Sequence, residues 1–293
     1  MGKNQVANNE SVTKKQHYVP QIYLKNFSDD EATLFYYDVL KKECSNISVP
    51  IKSICYEKYI YEYYDENGEI DSLNFNEKIL QHLESDFSQQ LGKLVRLARC
   101  KENLKLHHIF TKDEYFFWVF YVFLQMSRTP RTIKRMMEDY SIVYPDFGSK
   151  HIRNICLTNC LPFYQLINGI EMNEIITEQI ETLLSMDMFI CVNEHGDYFT
   201  SDCPVVSYSA TDSFQDTEWI VFPLTKRLSF LFLPSANKEK PVMGKIRYIN
   251  EDEYQQQMDI IALGAHRKIY SNTFFTKRIM RKIDKLREDL ETE

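Results

Sequence analysis

Glycine and proline are scarce in this sequence, 8 and 9 of 293 residues. So few backbone breakers exclude a loop-rich, collagenous or low-complexity chain and favour long regular elements. Tryptophan is rarer still, at 2, but tyrosine and phenylalanine reach 19 each, which is ample aromatic area for a core. The seven cysteines, at 44, 55, 100, 156, 160, 191 and 203, form no Cys-x-x-C pair. An odd number scattered along a long chain excludes a disulfide scaffold and fits a reducing cytoplasm. Cys156 and Cys160 stand one helical turn apart, with no neighbouring His or Cys set to complete a zinc site. The most apolar run, Tyr115 to Met126, would span ~18 Å as a helix against a hydrocarbon core of ~30 Å. A buried helix is expected there, and no membrane span. The opening Met-Gly-Lys-Asn-Gln-Val is polar and reads as no secretory signal. A net charge of -7 gives no broad attraction for nucleic acid or acidic membrane, while leaving local basic patches open. No Walker loop, Gly-x-Gly-x-x-Gly, His-Glu-x-x-His or nuclease carboxylate–lysine motif is found. That removes the easily read cofactor classes, not enzymes as such.

What is present reads as one α+β unit over 15–293, behind a polar, loose stretch 1–14. Its expected form is a helical middle layer (76–185) on a mostly antiparallel sheet built from N- and C-terminal segments. Gln16 to Phe27 carries apolar residues at helical spacing, with Pro20 suited to a first turn. Thr33 to Asp38 and Ile47 to Ile51 read as strands, and Tyr59 to Tyr64 leads into an Asn67-Gly68 turn. Long helices follow over Asn76 to Cys100 and Lys112 to Asp139. Thr111 suits the N-cap of the second, and Pro130 should break it. Shorter helices are expected over His151 to Thr158 and Glu171 to Ser185. His107 and His108 read as a loop before the core helix. Met188 to Asn193 and Tyr198 to Thr200 read as a hairpin. Strands are expected at Trp219 to Leu224, Leu228 to Leu233, Ile246 to Ile249 and Arg267 to Tyr270. Asn250 should cap a helix over Glu251 to Leu263, and a last helix should run from Thr273 to Leu290.

Gln16-His17-Tyr18-Val19-Pro20, followed by Tyr23-Leu24-Lys25-Asn26-Phe27, resembles the N-terminal hallmark of DUF4238, a prokaryotic family of unknown function. Weaker similarities follow in order. They are a helix with Glu84, Arg128-Thr129-Pro130, Thr200-Ser201-Asp202-x-Pro204-Val205, Phe222-Pro223-Leu224, and Asn250 with Ala265 to Ser271. The resemblance brings no established activity. It implies a bacterial protein, sometimes found beside mobile-element or phage-defence genes.

Several polar groups suit chemistry if they assemble. His17 fits a general base or acid, or a ligand, against the plainer role of anchoring the N-terminal segment. Asp202, after a strand end, fits a metal ligand or a partner for His17, against the role of a turn residue. Ser201 lacks a nucleophile elbow and fits substrate binding, as does Gln16. Arg128 and Arg131 suit a bidentate phosphate clamp, or a structural bridge to Glu84 or Asp202. Glu84 is either an acid in an apolar setting or a boundary residue of a solvated helix face. The last helix, with Lys277, Arg278, Arg281, Lys282 and Lys285, fits a nucleic-acid backbone or a protein partner, against a solvated outer face.

Three functions follow as expectations. The first is a phosphodiester-directed hydrolase, a nuclease-type effector in bacterial defence. There His17, Asp202 and Glu84 would do the chemistry with Mg²⁺ or Mn²⁺, and Arg128 and Arg131 would hold phosphate. The second is a non-catalytic sensor or protein-interaction module of a defence or regulatory system. The third is a binder of a small anionic ligand.

Overall fold

The computed structural model describes residues 13–71, 74–209, 211 and 213–292. Of the stretch read as loose, 1–12 lies outside these residues. Thr13 and Lys14 are already tied, the first through its N–H to Asn74 and the second through its carbonyl to the Tyr59 N–H.

The N-terminal third is short-stranded. It runs β1 (Lys15–His17), α1 (Gln21–Leu24) with a 3-10 turn (Lys25–Phe27), β2 (Thr33–Asp38), β3 (Glu43–Cys44), β4 (Val49–Pro50) and β5 (Tyr56–Lys58). The helix expected over Gln16 to Phe27 is therefore corrected. Gln16 and His17 lie in a strand paired antiparallel with Tyr56–Lys58, and Pro20 is the N-cap of a four-residue helix. The residue before a proline is pushed to extended backbone, so the helix cannot reach back past Val19. The strand at Ile47 to Ile51 shrinks to β4 followed by a 3-10 turn, Ile51–Ser53.

Helices fill the middle. They are α2 (Phe75–Arg99), α3 (Lys112–Ser127), α4 (Pro130–Val143), α5 (Ser149–Cys160), α6 (Phe163–Asn168) and α7 (Glu174–Leu184). Thr111 and Glu114 form a reciprocal capping box at the start of α3. Pro130 stands at the first position of α4, where its missing N–H leaves no partner wanting, so the long helical segment breaks at Arg128-Thr129. The short α6 escapes sequence reading because Tyr164, Leu166 and Ile167 face solvent and set no inward period.

The last third builds β6 (Met186–Val192), β7 (Thr200–Ser201), β8 (Val206–Ser209), β9 (Thr217–Pro223), β10 (Leu228–Pro234), β11 (Met243–Tyr248), α8 (Glu251–Gly264), β12 (Lys268–Ser271) and α9 (Lys277–Thr292). The fold is α+β, and its strands divide between two main sheets. One has the order β3-β2-β12-β7, with β4 also on β2, and joins the two ends of the chain. The other, β11-β6-β10-β9-β8, is drawn wholly from 186–248; only β11 and β6 run parallel in it. The hairpin expected between 188–193 and 198–200 does not form, because β6 pairs with β10 and β11 while β7 pairs with β12. The Asn193 side chain bonds the His195 N–H and the Gly196 carbonyl, turning the chain out of one sheet and into the other.

The apolar helix α3 lies at the centre, as its all-round hydrophobicity predicts. On one side Tyr121 stacks on Phe87 of α2 at 4.5 Å; on the other Trp118 meets Phe230 of β10 edge-on at 4.9 Å. Tyr23 of α1 ties both sheets together: its ring stacks on Phe222 and its hydroxyl bonds Thr200 Oγ1 and the Pro223 carbonyl. Gly244 makes a bulge in β11 with φ of +76°, and a Cβ there would lie 2.4 Å from the Phe110 ring. Gly244→Ala should therefore lower stability by about 2–3 kcal/mol, read as a drop in the denaturant midpoint.

Candidate functional site

Alternation along β1 turns Gln16 inward and leaves His17 half-buried. The Gln16 amide accepts from the Tyr61 N–H at 2.8 Å and donates to the fully buried Glu62 carboxylate. Glu62 also accepts from the Asn74 N–H, and Asn76 donates to the Tyr61 carbonyl. Gln16 thus works as a clamp on a buried carboxylate, where substrate contact was expected. The His17 ring packs on Tyr56 at 5.6 Å, and its Nε2 is buried without a hydrogen-bond partner. Burial lowers the His17 pKa, and the charges of Lys15 and Arg128 add to this, against a backbone hydrogen bond at Lys52. The imidazole is neutral at neutral pH.

Arg128 closes α3, and Thr129 caps α4 through its side-chain oxygen. With only 2% exposure, Arg128 points into the core. Its Nε donates to Gln125 at 3.2 Å, its Nη1 reaches Glu84 at 3.5 Å, and its Nη2 has no partner. Tyr61 donates its hydroxyl to the Arg128 carbonyl, while the buried Tyr121 hydroxyl stands unpartnered. Glu84 is not a freely solvated helix residue: burial raises its pKa and Arg128 opposes the rise. Glu77, two helical turns earlier, is pushed up to about 7 by burial first and by the Glu84 charge next, again with Arg128 opposing. Arg131 lies on the surface, so the two guanidiniums do not act as a pair. Tyr61, Glu62, Glu77, Tyr121 and Gln125 were not singled out from sequence. Only Glu77, spaced seven residues from Glu84, left a readable signal.

Asp202 follows β7. Its Oδ1 accepts from the His266 N–H at 2.9 Å, and its Oδ2 accepts from Arg267 at 2.8 Å and Lys268 at 3.2 Å. Burial raises its pKa while these three donors oppose the rise. Ser201 Oγ accepts from the Cys203 N–H and donates to the Cys203 carbonyl. Asp202 therefore holds the link from α8 into β12, and Ser201 holds the exit from β7.

The three motif segments do meet. The Cys203 thiol bonds Thr129 and feels Asp202 and Arg131; Tyr18 feels Asp202 and Cys203; His17 feels Arg128. Gln125 completes the junction by donating to the Tyr18 carbonyl at 3.0 Å. Burial pushes the Cys203 thiol up to about 12, so it carries no reactive thiolate at neutral pH. Among the described residues, no group of three or more His, Cys, Asp or Glu side chains is placed to hold a metal ion. The chain matches the family model described as a protein of unknown function, DUF4238, over residues 15–274. It belongs to the DUF4238 family. No curated protein and no solved structure matches it.

This DUF4238 protein carries a basic cluster on α9, just past the matched segment. Lys282 is taken by Asp259, and Arg287 caps α8 through the carbonyls of Ala262, Leu263 and Ala265. Lys277, Arg278, Arg281 and Lys285 are exposed. Among the described residues, no helix is long and apolar enough to cross a membrane.

Asp202→Asn presents an amide N–H₂ toward backbone donors. It should lower stability by about 3 kcal/mol, measured by denaturant unfolding, because buried donors lose a charged acceptor. Glu77 supplies a pH test. Its folded pKa of about 7 exceeds the ordinary 4.5, so the folded form binds the extra proton and stability falls as pH rises between these values. Glu77→Gln should therefore melt above the parent at pH 8 and level with it at pH 4. A difference that grows toward acid would contradict the assignment.

Proposed function

We propose that this DUF4238 protein is a protein-interaction module whose partner seats on the helical region around α4 to α7. One observation carries the reading. Among the described residues, 18 large hydrophobic side chains are exposed, and 9 of them fall between Ile142 and Ile175: Ile142, Val143, Tyr144, Phe147, Tyr164, Leu166, Ile167, Ile170 and Ile175. Single exposed apolar residues need no explanation, but nine along one helical stretch, with Val143, Tyr144 and Ile175 lining one groove, suit a surface that a partner covers. Gln16, Ser201 and Asp202, by contrast, spend their hydrogen bonds inward. Carboxylates at Glu77 and Glu84 beside Arg128 also disfavour an added small anion there.

Phosphodiester hydrolysis is the second reading, favoured by His17. A neutral imidazole with an unpartnered Nε2 beside a buried guanidinium has the form of a general base. The defence setting implied by the family resemblance suits either function.

Two measurements separate them. A photo-crosslinking residue placed at 142 or at 175 in the native cell should give a discrete protein adduct that the same residue at 240 does not. Purified protein with RNA or DNA and Mg²⁺ or Mn²⁺ should show no cleavage. Cleavage by the parent that disappears in His17→Ala, with no adduct from 142 or 175, would overturn the interaction reading in favour of hydrolysis.

A further inference from the structure

We infer that the partner of this module presents a basic amphipathic helix, which lies in the groove between α4 and α7. The inference rests on the interaction reading and adds the chemistry of the occupant.

The groove measures about 690 Å³. Met136, Tyr140 and Val143 of α4 with Tyr144 at its C-cap form one wall, Ile175 and Ile176 of α7 the other, and Cys160 and Phe214 contribute to its lining. Val143 is 65% exposed at its α4 lip, and Ile175 is 59% exposed at the α7 lip. Aliphatic side chains at both lips of one trough are the usual setting for a helix that buries anchors every three to four residues. A single small molecule would leave the lips uncovered.

Charge selects the kind of helix. Successive residues of a helix turn by about 100°, so Glu174, Glu178 and Glu181 share the face of α7 next to the one that Ile175 and Gln179 give to the groove. With Glu171 these carboxylates line a shallow depression along the outside of α7. All four are exposed, and none is in an ion pair among the described residues. Lys238 lines the adjoining depression with Glu178 and Glu181 and offsets one charge. Inside the groove Arg135 and Asp139 offset each other. The remaining negative strip repels nucleic acid and anionic lipid, and attracts a protein segment with lysine or arginine beside its apolar face. The three like charges on one side of α7 also repel one another, and a basic partner relieves that repulsion on binding.

The test uses a labelled Leu–Lys amphipathic peptide of ~18 residues, long enough for about five helical turns, and a Leu–Glu peptide of the same pattern. Fluorescence anisotropy with the full chain should show saturable binding of the Leu–Lys peptide only, weakened by added salt. Val143→Asp with Ile175→Asp, and separately Glu174→Lys with Glu178→Lys and Glu181→Lys, should each weaken it at least about tenfold with unchanged melting temperature. Loss in the apolar pair with no change in the lysine triple, or equal binding of both peptides, overturns the basic-helix assignment while leaving the interface in place. Binding indifferent to Val143 and Ile175 overturns both.

Discussion

A guanidinium buried at the end of the most apolar helix organises the interior of this protein. Desolvating a charge costs several kcal/mol even after relaxation, and the penalty is met only if the surroundings supply compensating dipoles and countercharge. Gln125 and Glu84 do so directly for Arg128, and Tyr61 binds its carbonyl. Tyr61 and Glu62 are in turn held by Gln16, so the N-terminal strand, α2 and the α3–α4 junction are fixed relative to one another through one polar cluster. Removing one member would leave the rest buried and uncompensated, which makes such a cluster a specifier of packing as much as a source of stability.

Chain termini of regular elements explain the other motif residues. Every helix end and strand exit leaves backbone groups that need partners. Thr129 serves the start of α4, Asp202 serves the turn after α8, and Ser201 serves its own exit from β7. Side chains with the composition of a hydrolytic site are here engaged as clamps. His17 Nε2 and Arg128 Nη2 are the motif nitrogens left buried without a partner among the described residues.

In the interaction reading we propose, the contact surface is a helical one that combines apolar lips with an acidic flank. The short α6 and the exposed end of α4 contribute little to the core. Phe163 apart, the exposed apolar side chains Tyr164, Leu166 and Ile167 of α6 and Ile142 and Val143 of α4 add little to the core, which fits the proposed contact role.

Local order was legible from the residues alone. The core helix, its N-cap at Thr111, the break at Pro130, the cap at Asn250 and the strands β9 and β10 appear as read. Each is set by periodicity or capping within a few neighbouring positions. Which sheet receives β7, why Arg128 points inward while Arg131 points out, and that Glu77 and Glu84 share one guanidinium were decided only by tertiary packing. Gln16 finds Glu62 across 46 positions, Arg128 finds Glu84 across 44, and Asp202 finds the His266 N–H across 64. A polar side chain takes whichever partner the packed core brings to it, and that encounter is written in no local pattern.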